Sequence, residues 1–382
     1  MSTLIRNAHL ISPDVDEKNV AIFVKGKSIS KIFKDGEELP PADQTYDAAG
    51  RMVVPGFIDA HIHAGMGYES TSASPEAIPT IAEAKLKEGV TSWCPTTLTL
   101  AQETLAETMG LVEKYRRNPA FSKVLGVHLE GPYINPECLG AQNPAFVRKP
   151  SFDEVKALNE ISPVRIVTFA PDVEGSAEFT RQLMDAGIIP SAGHTNATYA
   201  QFQACQKEGL GRLTHFCNQM TKLHHREIGL VGAGLMDDRV YCEMICDKIH
   251  LCPDMIRLAF KIKPIEKILL ITDAMEATGL PDGDYQLGGL AVVVKDGAAR
   301  LKGNNALAGS TLQYNVGLKN IREVTGLPLK ECIKTTSWNQ ANDLGLANLG
   351  KIEPGYLADL AVLDDDFSVK AVFVEGELRL NR

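Results

Sequence analysis

The middle of the chain repeats one unit, a short apolar run followed by an amphipathic stretch, and that repetition limits the folds open to it. The apolar runs are VPGFIDAHIH, VTSWCPTTL, VLGVHLEGP, VRIVTFAP, IIPSAGHT, RLTHFCNQ, VYCEMICD and KILLITDAM. Between several of them lie helix-period stretches such as SPEAIPTIAEAKLKEG, AQETLAETMGLVEKYRR and SAEFTRQLMDAG, and TLQYNVGLKNIREVTG follows the eighth. Eight strands alternating with helices point to a (β/α)8 TIM barrel. The chain ends break the pattern. TLIRNAHLI and NVAIFVKGKSISKIF at one end, and ADLAVLDDD and VKAVFVEGELRL at the other, read as β segments without a convincing helix. Residues 1–52 and 352–382 are therefore expected to meet in one small β-sandwich domain, with residues 53–351 forming the barrel.

In such a barrel, functional side chains gather at the C-terminal ends of the strands. His61 and His63 stand there after strand one, Glu130 after strand three, His194 after strand five, His215 after strand six and Asp273 after strand eight. Side chains at i and i+2 of a strand share a face, so His61 and His63 project side by side. Alone, the pair could simply close a strand with polar groups. Imidazoles and carboxylates gathered at one rim instead make a nitrogen and oxygen site for zinc or a similar divalent ion. Such an ion polarises a carbonyl and acidifies water, the start of a hydrolysis. Asp273 could take the water's proton and return it to a leaving nitrogen, which an amide requires because an amine anion leaves poorly. His128, two residues before Glu130, either orients that glutamate or is a packed histidine with satisfied hydrogen bonds. His9 is read as structural.

The formal net charge of −9, with no dense lysine and arginine cluster, argues against a nucleic-acid surface and for a small-molecule partner. No apolar run is long enough to cross a bilayer, and MSTLIRNAHLISPDVDE contains no apolar signal core, so a cytoplasmic protein without a membrane partner is expected. The eight cysteines fit reduced thiols. Cys242, Cys246 and Cys252 match no paired zinc spacing, and the first two read as core residues of a strand. Cys138 is expected in a loop, more exposed.

VPGFIDAHIH, HLEGP, NPAFVRKP, SAGHTNAT, HHREIGLVGAGL, ITDAMEATGL and LAGS together resemble the N-acetylglucosamine-6-phosphate deacetylases of the amidohydrolase superfamily, over nearly the full length. The resemblance implies hydrolysis of the acetamide of N-acetyl-D-glucosamine 6-phosphate, in amino-sugar catabolism and cell-wall recycling. It makes Glu130, His194 and His215 the main metal ligands and Asp273 the catalytic acid and base. His61 and His63 match a pair that holds a second metal in some members, so one or two divalent ions per chain are expected, zinc first and iron, cobalt or manganese as alternatives. Asn218 and Gln219 match residues that bind the sugar phosphate, His250 one that contacts the sugar ring, and Ala308 a main-chain contact. Arg226 matches an arginine lent by the neighbouring subunit, which implies a homodimer.

Three positions depart from the family pattern. Gln142 matches a substrate-contact position where some members carry a histidine that helps hold the acetyl oxygen and others, typically those with the paired histidines, carry glutamine, which can donate a hydrogen bond but cannot become cationic. Gln219 is bulkier than the usual residue, and Lys248 replaces a glycine, either adding charge near the phosphate or facing solvent. The nearest rival substrate is N-acetylgalactosamine 6-phosphate. A cyclic amidohydrolase or deaminase would often carry a carboxylated lysine after strand four, where VRIVTFAPD offers none. A non-catalytic binding barrel would be free to lose ligands, and here all are present.

Overall fold

The computed structural model describes residues 1–382. The eight expected strands are β1 (Phe57–Ile62), β2 (Val90–Thr97), β3 (Val127–Glu130), β4 (Val164–Phe169), β5 (Ile189–Ala192), β6 (Arg212–Leu213), β7 (Tyr241–Ile245) and β8 (Ile268–Ile271). Each pairs in parallel with the next, from β1 through to β8. Helices α1 (Ala77–Lys87), α2 (Gln102–Arg116), α3 (Phe152–Ile161), α4 (Ser176–Asp185), α5 (Tyr199–Lys207), α6 (Gly229–Met236), α7 (Pro253–Ile262) and α8 (Tyr314–Thr325) follow the strands in turn. This is the (β/α)8 TIM barrel. Strands buried on both faces read as near-continuous apolar runs, and every residue of β1 and β2 is buried.

The ring closes between β8 and β1 without a regular ladder. The Asp273 amide donates to the His61 carbonyl at 2.9 Å, and the Thr272 hydroxyl donates to the Asp59 carboxylate at 2.6 Å. Closure thus occurs beside His61 and Asp273, two of the residues expected at the site. Gly56, just before β1, has no room for a side chain, since a Cβ there would lie 2.3 Å from Thr91 Cγ2.

The terminal segments form one curled sheet of eight strands: Ser2–Ser12, Val15–Lys25, Ser28–Phe33, Gln44–Asp47, Met52–Pro55, Leu360–Leu363, Val369–Val374 and Glu377–Asn381. Register shifts on either side of Ala8 bend the first strand, which pairs with Gln44–Asp47 along one half and Met52–Pro55 along the other. The two halves of the sheet then face each other across Ile5, Leu10, Ile22, Val53, Leu360 and Phe373. Tyr46 meets Phe373 edge to face across that gap, at 5.4 Å. The result is the small β-sandwich. Met52–Pro55 belongs to this sheet by its antiparallel pairing with Leu360–Leu363, so the sandwich runs to Pro55, directly against β1.

One element has no counterpart in the sequence reading. Between β8 and α8, strands Gly283–Leu287, Leu290–Lys295 and Ala298–Leu301 form an antiparallel sheet. Its two-residue turns are Gly288-Gly289 and Asp296-Gly297, all four with positive φ as such hairpin turns require. The sheet packs Leu287, Val292 and Val294 onto Leu98, Met275 and Ala277 over the barrel mouth. No helix is long and apolar enough to cross a membrane.

Candidate active site

The strand ends bring six of the expected side chains to one buried point. Glu130 Oε1 lies 3.1 Å from His215 Nε2, 3.4 Å from His194 Nε2 and 3.3 Å from His61 Nε2. Glu130 Oε2 lies 3.2 Å from His63 Nε2, and Asp273 Oδ1 lies 3.3 Å from the same nitrogen. Two donor sets result, Glu130 with His194 and His215, and His61 with His63 and Asp273. The glutamate joins them.

Backbone conformation aims these groups. His194, His215 and Asp273 have φ of 49°, 33° and 50°, in the sparsely populated left-handed region. Such strain persists only where the surroundings over-determine it. Here the His194 carbonyl accepts from the Asn135 amide at 3.0 Å, the His215 amide donates to Glu243 at 3.1 Å, and the Asp273 carbonyl accepts from the Ser310 amide at 2.7 Å. The imidazoles are oriented in the same way. His194 Nδ1 donates to the Cys138 carbonyl at 2.9 Å and His61 Nδ1 to Glu243 Oε2 at 2.8 Å, tautomers assigned from the acceptors they face. Both rings thereby turn Nε2 toward Glu130.

These residues fit a divalent cation. Glu130 Oε1 is buried, makes no hydrogen bond, and has three imidazole nitrogens crowded around it. An unpaired buried acceptor costs about 1–3 kcal/mol, and a cation among these donors would relieve it. Burial opposes the charged form of Asp273, but the imidazoles of His61 and His63 outweigh burial and hold its carboxyl below the usual range. Asp273 is therefore held as the carboxylate.

The cavity above this cluster is lined by Gln142, Asn218, Gln219 and His250, as expected, and by Leu98, Leu287 and Leu307. His250 donates through Nδ1 to Asp247 at 2.7 Å, which leaves Nε2 for a ligand. Gln142 is tied at both ends: Oε1 accepts from the Thr99 amide at 2.7 Å and Nε2 donates to Glu130 Oε2 at 2.6 Å. Its amide steadies the glutamate.

Other expected residues lie elsewhere. Ala308 is buried beneath the cavity wall with its amide donating to the Ala299 carbonyl at 3.1 Å, while its neighbours Leu307 and Gly309 line the cavity. Arg226 is exposed on the loop between β6 and α6, donates to His225 Nε2 at 2.7 Å, and does not line its own chain's cavity. Lys248 pairs with Glu323 at 2.8 Å, on the solvent side. His128 is the packed histidine: it bonds the Ala60 carbonyl at 3.1 Å and the Thr168 hydroxyl at 2.7 Å, and burial pushes it down to about 3, so it is neutral. His9 pairs with Asp16 in the sandwich. Cys138 is buried, contrary to expectation, because its loop folds over the end of β5; its thiol donates to Asn196, and burial pushes it up to about 11. Cys242 and Cys246 are buried and Cys252 is exposed.

Sequence reasoning passed over Glu243 and Arg212, both fully buried. The signal was there: VYCEMIC sets a carboxylate inside an apolar strand, and a buried charge needs partners. It also missed Leu287 and Leu307, which reach the cavity from the unforeseen sheet and the loop after it.

A model of the amidohydrolase family matches residues 52–379. An N-acetylgalactosamine-6-phosphate deacetylase of Escherichia coli O157:H7 is 36% identical, over 90% of this chain and 91% of its own length. The crystal structure of N-acetylglucosamine-6-phosphate deacetylase from Thermotoga maritima superposes with a TM-score of 0.90 at 37% identity, covering 99% of this chain and all of that one. An aspartate-to-alanine mutant of the Mycobacterium smegmatis N-acetyl-D-glucosamine-6-phosphate deacetylase, in complex with N-acetyl-D-glucosamine 6-phosphate, superposes with a TM-score of 0.92 at 30% identity over the full length of both. The chain belongs to the amidohydrolase family, alongside the N-acetylglucosamine-6-phosphate deacetylases that it matches from end to end.

Proposed function

We propose that the protein hydrolyses the acetamide of N-acetyl-D-glucosamine 6-phosphate to D-glucosamine 6-phosphate and acetate. The observation that carries this reading is the cluster of Glu130, His194 and His215 with the Asp273 carboxylate beside it, on the floor of a cavity walled by amide, imidazole and leucine side chains. A divalent cation held by Glu130, His194 and His215, with a second at His61 and His63, would supply Lewis acidity to the acetamide carbonyl and to water; this nitrogen and oxygen set suits zinc. Asp273 takes the proton of the attacking water and passes it to the amide nitrogen as the carbon–nitrogen bond breaks, so the amine leaves neutral and acetate carries the water's oxygen. His250 Nε2 orients the sugar ring, and Asn218 and Gln219 face the phosphate end of the cavity. Leu98, Leu287 and Leu307 keep bulk water from the reacting carbonyl.

The cavity contains no lysine or arginine, yet a phosphate dianion is best held by a guanidinium fork. Arg226, exposed and outside its own cavity, supports the reading in which a second copy of the chain lends it, making a homodimer. The 36% identity to the Escherichia coli galactosamine enzyme supports a second reading, in which the 4-epimer is the better substrate. Acetate release from both 6-phosphates and from unphosphorylated N-acetylglucosamine, on protein whose metal is counted by elemental analysis, separates them. Fast, phosphate-dependent release with a preference for the glucosamine epimer is expected. Preference for the galactosamine epimer would install the second reading, and no release from metal-loaded protein would sink both.

A further inference from the structure

Glu243 sits in the middle of β7 with no contact to the cavity, and its carboxylate makes four hydrogen bonds. Its Oε2 accepts from His61 Nδ1 at 2.8 Å and from the His215 amide at 3.1 Å. Its Oε1 accepts from Arg212 Nε at 3.0 Å and Nη2 at 2.5 Å, and Arg212 reaches on to Asp343. His61, His128 and Glu243 are near enough to suggest a further metal site. The contacts oppose it: His61 Nδ1 already shares a proton with the carboxylate, both His128 nitrogens are engaged, and the Arg212 cation lies against the same group.

We infer that Glu243 is a positioning residue that sets both donor clusters at once, fixing the His61 ring by its Nδ1–H and the His215 backbone by its amide; this rests on reading His61 and His215 as metal ligands. An imidazole can present either nitrogen, and the partner of one decides the role of the other. With Nδ1–H given to Glu243, the His61 Nε2 lone pair faces Glu130 and His63. On the other side, the bond to the His215 amide holds a residue whose φ of 33° few side chains adopt unaided. Arg212 grips the remaining oxygen through two donors, so the carboxylate cannot rotate away from either ligand. One carboxylate thus joins β1 to β6 behind the site.

Glu243→Gln keeps the volume and tests the wiring. Arg212 only donates, so the new amide must turn its oxygen toward the guanidinium and its NH2 toward His61 and His215, setting donor against donor. Chelator-stripped protein is titrated with Zn2+ and with Co2+ against a chromophoric chelator. Affinity is expected to fall by roughly 10–100-fold, and the ion count per chain to drop first at the His61 and His63 site. Glu88→Gln is the control, because Glu88 is a buried carboxylate that bonds Lys85 and the Tyr314 amide and no proposed ligand, so it reports on stability without moving the metal titration. Wild-type uptake with an unchanged Glu243→Gln titration would overturn the role of Glu243 alone. A wild-type protein that takes up no divalent ion would overturn the metal site beneath it. Should the variant not fold, histidine 15N NMR of zinc-loaded wild type decides: a protonated Nδ1 and coordinated Nε2 on His61 are expected, and the reverse assignment overturns the inference.

Discussion

The division of labour at the site is set by which groups touch the cation donors and which merely face them. Asp273 lies 3.3 Å from His63 but outside the trio of Glu130, His194 and His215, so Asp273→Asn should leave a divalent ion held by that trio while removing the carboxylate proposed to carry the proton. A drop in kcat of roughly 10²–10⁴-fold with an unchanged metal count at that trio is expected. Near-normal turnover would show that another group moves the proton. Gln142 is a subtler case. The family resemblance casts it as a substrate contact, and in the structure it lines the cavity while its amide is held between Thr99 and Glu130. Gln142→Ala should therefore weaken metal binding by about 10-fold or more in chelator competition. A rise in KM with metal affinity intact would return it to the substrate side alone. The histidines and carboxylates were legible in the sequence because strand ends announce themselves and metal chemistry needs few residue types. The partner of Gln142 was not, because it depends on how the loop after Glu130 folds back.

At the scale of elements, the strands β1–β8 could be read from apolar runs, since burial on both faces leaves an unmistakable pattern. Helix α6 could not be read from amphipathicity, as GLVGAGLM is buried on nearly every side and has no polar face to reveal its period. The sheet over the barrel mouth did leave a mark, two glycine-bearing turns spaced by β-like runs, but it lies outside the strand and helix alternation that marks the barrel. Helix α1 hides a charge arrangement with a testable cost. Lys85 is buried between Asp59 at 3.5 Å and Glu88 at 2.7 Å, and Glu88 also accepts the Tyr314 amide at the start of α8. Replacing it, as in Lys85→Met, leaves two buried carboxylates without their cation. Removing one partner of a buried ion pair costs about 3–5 kcal/mol, so a clear fall in thermal or denaturant midpoint is expected. Adding Glu88→Gln should restore part of it. A midpoint unchanged by Lys85→Met would mean that the carboxylates take up protons at little cost.

For the molecule as a whole, the sandwich and the barrel are joined where the site begins. The Asp359 carbonyl accepts the Gly56 amide at 2.8 Å, the Asp359 carboxylate pairs with Lys123 at 2.8 Å, and Leu360–Leu363 pairs with the strand that runs into β1. The last strands of the chain thus brace the segment that carries His61 and His63. The cavity of one chain is lined by no lysine or arginine, and Arg226 is exposed outside it. A two-fold dimer would exchange that arginine reciprocally, each chain completing the other's site. Co-expression of Arg226→Ala with Asp273→Asn tests this directly. Each variant alone lacks one part of every site. In a mixed dimer, the chain that keeps Asp273 receives Arg226 from the chain that lacks the aspartate, and one site becomes whole. Random pairing should then restore about a quarter of the wild-type sites, with wild-type KM for the phosphorylated sugar. If Arg226 instead served its own chain, mixing would recover nothing, because no single chain would hold both residues.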